Sequence, residues 1–147
     1  MRQILFRGKT LDNGEWVYGS LFGKRHIAVE IREGEEPVSS FGVATYRWVE
    51  VIPETVGQYT GLDDKNGVKI FDGDILLEKD AGVWEKFTKA DGSEWSKFAG
   101  KREDKKYTVF FDEKKAQFTT EGCWLWALVK LVKVIGNIHD NPELVEE

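Results

Sequence analysis

The sequence predicts a mainly β protein, either a compact barrel-like fold or packed antiparallel sheets built from hairpins. Two features support this prediction: apolar and polar residues alternate with a period of two in many short segments, and turn-forming residues recur at close spacing between those segments. The chain has 147 residues, of which 41% are hydrophobic and 32% are charged. This composition is globular, and at this length we expect one domain over residues 1–147.

The first part of the chain is predicted to form four strands. It opens with a hairpin, because an Asn-Gly pair at residues 13–14 lies between two alternating segments and both residues tolerate positive φ. Further strands are expected over residues 26–31 and 45–52, and Pro53 ends the second because proline has no backbone N–H to donate. The acidic stretch at residues 33–40 is predicted to be a loop.

The later part is predicted to contain more short strands and one short C-terminal helix. The strand segments are residues 56–59, 69–71, 75–77, 107–111 and 116–120, with a polar hairpin loop at 112–115. Residues 124–135 could form one long strand or two strands broken at a bulge. At the C-terminus Asn141 can cap a helix, Pro142 suits its first position, and Glu143 lies near the positive end of its dipole.

Residues 81–106 differ in composition from the rest of the chain and are predicted to be an insertion. A small motif recurs there eleven residues apart, as Trp84-Glu85-Lys86-Phe87 and Trp95-Ser96-Lys97-Phe98. An unbroken helix would place the aromatic residues of both copies on one face. The dipeptide Asp91-Gly92 could instead turn a hairpin, with Lys89 opposite Glu94 as a cross-strand ion pair.

The insertion allows two functional interpretations. Aromatic rings interleaved with cations suit stacking on single-stranded nucleic acid. The candidate binding residues are Trp84, Phe87, Trp95, Phe98, Lys86 and Lys97. Alternatively, the rings fold back as a lid on the core and the charges form a solvated face, which the weak balance of seven basic against five acidic residues favours.

Charge and hydropathy argue against three classes of protein. A net charge of -5 argues against a protein held by the phosphate backbone. The apolar-rich run 123–135 is interrupted by Lys130 and Lys133 and is shorter than the roughly 20 residues of a membrane helix. The N-terminus lacks the apolar run of a secretory signal. We therefore expect a cytoplasmic protein with no membrane association, and a buried, inert thiol at Cys123, the only cysteine.

The acidic turn at residues 63–74 is rich in the oxygen ligands that calcium prefers, but its spacing is wrong. Alignment of either glycine with the calcium loop makes Leu62 or Val68 the first ligand, and neither side chain can coordinate a cation. We therefore predict no metal site and no cofactor. A turn with Asn66 or Gly67 in the left-handed region is expected instead.

No catalytic residues are predicted. Nucleophile elbows, phosphate loops, dinucleotide fingerprints and zinc spacings are absent from the sequence. Asp72 and Asp74 could form the carboxylate pair of a hydrolase, but neither His26 nor His139 lies near them in sequence. A hydrolase is therefore the least favoured interpretation.

Segments at both ends of the chain and in its centre carry a family resemblance. They are Phe6-Arg7-Gly8 and residues 14–19, 51–77 and 134–147, and they resemble the YopX family of phage and prophage proteins. The shared residues expected to shape turns are Gly57, Gly61, Asn66, Gly67, Gly73, Asp74, Gly136 and Pro142. The resemblance implies a small β-rich protein of a phage or prophage, acting in the bacterial cytoplasm, and it carries over no catalytic residues. Residues 81–106 hold none of its motifs.

The sequence as a whole predicts a non-enzymatic accessory protein that binds protein, including other copies of itself. This prediction rests on residues 124–135, whose alternating faces are both apolar and so indicate a fully buried strand or an oligomer contact. The alternatives are a single-stranded nucleic-acid-binding protein that uses residues 81–106, and the hydrolase.

Overall fold

The computed structural model describes residues 3–30 and 46–145. The elements in chain order are β1 (Phe6–Lys9), β2 (Trp16–Phe22), β3 (His26–Glu30), β4 (Tyr46–Glu50), β5 (Gly57–Asp63), β6 (Lys69–Phe71), β7 (Asp74–Thr88), β8 (Glu94–Asp112), β9 (Gln117–Thr120), α1 (Leu125–Leu128) and β10 (Val132–Asn137). Short 3₁₀ helices lie at Pro53–Thr55 and Pro142–Leu144. The protein is mainly β, as predicted, and the loop predicted at 33–40 lies outside the described residues.

Within the described residues the strands form two antiparallel sheets. The first sheet has the order β4-β3-β2-β1-β5-β6, and the second has the order β10-β7-β8-β9. The first lies in a compact unit of Met1–Asp63 with Lys69–Gly73, and the second lies in a unit of Asp64–Val68 with Asp74–Glu147. The predicted antiparallel sheets are confirmed, in the open rather than the barrel form. The expectation of one domain stays a prediction.

The first sheet begins with the predicted hairpin. Lys9 lies opposite Trp16, and the Thr10 N–H donates to the Glu15 carbonyl at 2.9 Å. Thr10, just after β1, also forms an isolated bridge with Val51, just after β4. The ends of β1 and β4 therefore lie next to each other, although β2 and β3 stand between these strands in the sheet order. The large apolar side chains buried in this unit include Ile27, Val51, Tyr59, Ile70 and Phe71.

Arg7 on β1 is buried, and its guanidinium contacts strand and turn residues of the same unit. The Arg7 guanidinium carbon lies 4.6 Å from the ring centroid of Trp16 and 4.8 Å from that of Phe71. Its Nη2 donates to the Asp72 carbonyl at 3.4 Å. Position 57 needs glycine because a Cβ on Gly57 would lie 2.8 Å from the same carbonyl oxygen. Close packing around Arg7 and the Asp72 carbonyl therefore accounts for the glycine at position 57.

The second unit corrects one sequence prediction. Residues 124–135 do not form one long strand or two strands, but form α1 followed by β10. Helical spacing brings Leu125 and Leu128 to one face, where both are buried, whereas a strand would point them to opposite faces. Trp124 and Trp126 are exposed, so the segment is not the fully buried strand that its composition indicated.

Asp64 organises the acidic turn between β5 and β6. Its carboxylate accepts the N–H groups of Asn66 at 2.8 Å, Val68 at 2.9 Å and Val134 on β10 at 2.9 Å. Burial acts to raise the pKa of Asp64, but the three backbone donors outweigh it and leave the pKa lowered. The turn prediction is confirmed, with Gly67 at φ +80°. The described residues contain no group of three or more His, Cys, Asp or Glu side chains placed to hold a metal ion.

The C-terminal turn is held by two asparagines. The Asn137 Oδ1 accepts the N–H groups of His139 and Asp140, and the Asn137 N–H donates to the Asn141 Oδ1 at 3.3 Å. The predicted C-terminal helix is a single 3₁₀ turn, and the Asn141 side chain does not cap it because its oxygen is directed to Asn137. A Cβ on Gly136 would collide with that oxygen.

Candidate binding arm

β7 and β8 form a long hairpin, and we call its outer part, residues 82–102, the arm. Two register shifts lie between residues 78 and 84 at its inner end. Each shift is a bulge, which leaves residues unpaired and increases the local twist. The Arg102 guanidinium donates to the Asp80 carbonyl at 3.1 Å beside the first bulge. The two bulges thus separate the arm from the inner part of the hairpin.

The tip of the arm is a turn built by Asp91 and Gly92. The Asp91 carboxylate accepts the Ser93 hydroxyl at 2.6 Å and the Ser93 N–H at 2.9 Å, and these donors lower the pKa of Asp91. The Lys89 N–H donates to the Ser93 carbonyl, and Gly92 has φ +87°, which a helix does not allow. The hairpin alternative is therefore confirmed and the helix is wrong.

The arm has two faces, each named here after one tryptophan. The Trp84 face consists of Trp84, Lys86, Thr88, Glu94, Ser96 and Phe98, with Arg102 at its inner end. The Trp95 face consists of Glu85, Phe87, Trp95 and Lys97, with Lys89 at its outer end. Successive side chains of a strand alternate between faces, so strand geometry separates the four rings that a helix would have united.

The four candidate rings are exposed. The exposed fractions are 64% for Trp84, 39% for Phe87, 51% for Trp95 and 47% for Phe98. Trp84 and Phe98 lie opposite each other, with ring centroids 6.1 Å apart. The lid interpretation is wrong, because side chains that cover a core would be buried.

Cations lie beside three of these rings. The distances to the ring centroid are 3.6 Å from Lys89 Nζ to Trp95, 5.9 Å from Lys97 Nζ to Phe87, and 5.7 Å from Arg102 Cζ to Phe98. The candidate cations Lys86 and Lys97 lie on opposite faces. The predicted pairing of Lys89 with Glu94 is wrong, because the register places Thr88 opposite Glu94 and Lys89 lies in the turn.

A groove along β9 is a second exposed feature, and no sequence motif indicated it. Its volume is about 510 Å³, and its lining includes Phe110, Thr119, Thr120, Cys123 and Trp124. Trp124 stacks on Trp126 with centroids 5.7 Å apart and planes 19° apart. Cys123 is half-buried there rather than buried. The groove lies where the chain turns back after β9, and an isolated bridge between Thr120 and Cys123 holds this turn. The turn has no recognisable signal in the sequence.

The two carboxylates proposed for hydrolysis fall in different units. Asp72 belongs to the first unit and is half-buried. Asp74 belongs to the second unit, lies opposite Asn137 at the start of β7, and is only 1% exposed. An Asp74 side chain so enclosed is out of reach of a substrate in solvent.

Comparisons with known proteins agree with the fold. The profile of the family described as YopX protein matches residues 5–146. The chain is also similar to the crystal structure of protein EF1440 from Enterococcus faecalis, at 26% identity and a TM-score of 0.54, over 99% of this chain and 100% of that one. A search of curated proteins found no match. No helix in the described part of the chain is both long and apolar enough to cross a bilayer. The profile match spans nearly the whole chain, and the chain therefore belongs to the YopX family.

Proposed function

We propose that this protein is a phage- or prophage-encoded accessory protein that acts in the bacterial cytoplasm by binding another protein, without catalysing a reaction. The observation that carries the proposal is the exposure of four aromatic rings on the two faces of the arm. Aromatic side chains bury about 150–250 Å² each and dominate the energetics of protein contacts. A two-stranded ribbon cannot bury such rings within itself, so the arm offers them to a partner.

The charge of the arm favours a protein partner over a nucleic acid. Residues 84–98 carry three lysines and three acidic residues, whereas a polyanion gains its affinity from clustered cations. The cations beside Phe87, Trp95 and Phe98 also cover ring faces on which bases would stack. A protein partner needs neither the net positive charge nor the open ring faces.

Single-stranded nucleic acid is the second candidate partner, because basic residues are dense at the inner end of the arm. Lys101 and Arg102 lie there, and Lys105 and Lys106 follow on the inner part of β8 together with Glu103 and Asp104. This candidate predicts that oligothymidylate quenches tryptophan fluorescence at low salt and that added salt reverses the quenching. Unchanged fluorescence at low salt would remove it.

The proposal is tested by purifying tagged protein from the host in which it is expressed. One variant carries serine at the four ring positions of the arm. A matched control carries Phe22→Ser and Trp48→Ser, which remove an exposed pair in the first unit with centroids 4.3 Å apart. We expect a protein partner to copurify with the wild type and the control but not with the arm variant. Calorimetry with the purified partner should show about a thirtyfold loss of affinity or more for the arm variant.

Circular dichroism establishes that both variants keep the β fold. An arm variant that binds the purified partner as tightly as the wild type would show that the arm is not the contact element. Equal losses in the arm variant and the control would also contradict the proposal, because the loss would then not belong to the arm.

A further inference from the structure

We propose that the Trp84 face binds a second copy of this chain, with two arms packed antiparallel about a twofold axis. The inference rests on the proposed function, because it names a protein that the arm contacts. A twofold contact is isologous, so a residue pair that forms once forms a second time by symmetry. A face can serve both sides of such a contact when its two ends carry opposite charge, and the Trp84 face has this property.

Four cross-strand rows follow one another along the Trp84 face. From the inner end to the tip they are Gly82 with Arg102, Trp84 with Phe98, Lys86 with Ser96, and Thr88 with Glu94. An antiparallel pair centred between the second and third rows sets the first row of one copy against the fourth row of the other. Arg102 of one copy then meets Glu94 of the other, and Lys86 of one copy meets the Trp84 ring of the other.

The charges select this register over its neighbours. Centring the pair on the second row would set Arg102 against Ser96, in the same row as Lys86 and away from any carboxylate, and centring it on the third row would set Lys86 against itself. Like charges placed directly opposite are destabilising. When the pair is centred between the second and third rows, each cation of the face meets a carboxylate or a ring.

The pairing cannot form within one arm. The rows that hold Arg102 and Glu94 are separated by the six residues from Gly82 to Thr88, which is roughly 20 Å of strand. Charge complementarity between these two positions therefore operates only between copies.

The contact is small, which sets the expected strength of association. Two aromatic rings bury roughly 300 Å² per copy, compared with about 800 Å² per partner in a standard interface. Association should therefore be weak and reversible, and its two symmetry-related charge pairs should decide its specificity. The Trp95 face stays exposed in such a pair and remains available to a different protein.

Sedimentation equilibrium on charge-reversal variants tests the pairing. The wild type should form a concentration-dependent dimer, and Glu94→Arg or Arg102→Glu alone should weaken dimerisation about tenfold or more. An equal mixture of the two variants should restore the dimer, because each cation then meets a carboxylate of the other chain. The control Glu85→Lys changes a charge on the Trp95 face and should leave dimerisation at the wild-type level.

A wild-type chain that stays a 16.9 kDa monomer at the highest concentration would overturn the inference. A mixture that associates no more strongly than its separate components would also overturn it. Association that requires oligothymidylate would replace the second copy with nucleic acid. If the chain is monomeric while the arm variant still loses a different protein partner, the inference fails and the proposed function stands.

Discussion

At the scale of single residues, buried polar side chains hold the turns of this protein. Asp64 is the clearest case, since one carboxylate accepts three backbone N–H groups from two separate segments. The charged form receives all three bonds, so the fold favours ionisation despite burial. The carboxyl groups that suggested a metal or catalytic site in the sequence therefore include at least one that serves the backbone.

Asp64→Asn should destabilise the protein. An amide can still accept at one oxygen but cannot accept the Val134 N–H at the other position, and the lost bond should cost about 1–3 kcal/mol. Urea unfolding at neutral pH measures this cost.

The pH dependence gives a second readout of Asp64. Because the pKa is lowered in the folded state, the carboxylate contributes stability above the pKa of an unfolded Asp and loses it as pH falls through the folded value. The wild type should therefore lose more stability on acidification than Asp64→Asn. Equal losses in the two proteins would contradict the assigned role.

The Tyr59 hydroxyl should lose its proton at a higher pH than an exposed tyrosine. Burial, followed by the hydrogen bond that its hydroxyl donates to Asp63, raises the pKa of Tyr59 to about 12. The raised pKa means that its contribution to stability is complete below the unfolded value of about 10 and is lost as pH rises through about 12. The tyrosinate absorbance of the wild type minus that of Tyr59→Phe should show the transition at about pH 12. A difference transition centred near pH 10 would contradict this environment.

At the scale of elements, the arm depends on local interactions. Its turn is closed by Asp91 and Ser93, and its strands are joined by the opposed rings of Trp84 and Phe98. Such cross-strand pairs contribute roughly 0.2–1 kcal/mol each, which is enough to order a ribbon attached to a larger sheet. The arm is therefore expected to fold with the second sheet without supporting it.

Shortening the arm tests this independence. Replacing residues 86–96 by Asn-Gly removes side chains that are nearly all exposed, so the free energy of unfolding should change by no more than about 1 kcal/mol. Urea unfolding followed by circular dichroism is the measurement. A loss of several kcal/mol would mean that the arm covers part of a core.

Elements with their own turn chemistry could be predicted from sequence. The Asn-Gly pair at residues 13–14 placed the first hairpin, and the Asp-Gly pair at 91–92 placed the tip of the arm. The register of the arm was not predicted correctly, because Lys89 was expected opposite Glu94 and the structure places Thr88 there. α1 could not be predicted, because a run with apolar residues on every face fits a strand as well as a helical turn until the buried pair, Leu125 and Leu128, is known.

At the scale of the whole molecule, charge is distributed unevenly along the chain. Residues 81–106 carry seven basic and five acidic residues, whereas the rest of the chain carries fourteen basic and twenty-one acidic ones. An acidic chain whose most basic segment carries an excess of only two positive charges is a weak partner for a polyanion. This distribution supports the choice of a protein partner.

The exposure of the candidate rings could not be predicted from the sequence. A lid over the core was favoured for residues 81–106 because seven basic against five acidic residues form a weak electrostatic footprint, and this balance does not report whether the rings are buried. Only the pairing of β7 with β8 shows that this segment extends as a ribbon on which Trp84 and Trp95 point to opposite faces. The candidate residues themselves were identifiable from sequence, but their separation onto two surfaces was not.

Photo-crosslinking in the cell shows directly whether the arm binds protein. A photoreactive side chain is placed at Ser96 on the Trp84 face and, as a control, at Lys114 in the turn between β8 and β9, both of which are exposed. We expect protease-sensitive adducts from position 96 and few from position 114. Adducts from position 114 without any from position 96, or adducts from position 96 that nuclease removes, would contradict this expectation.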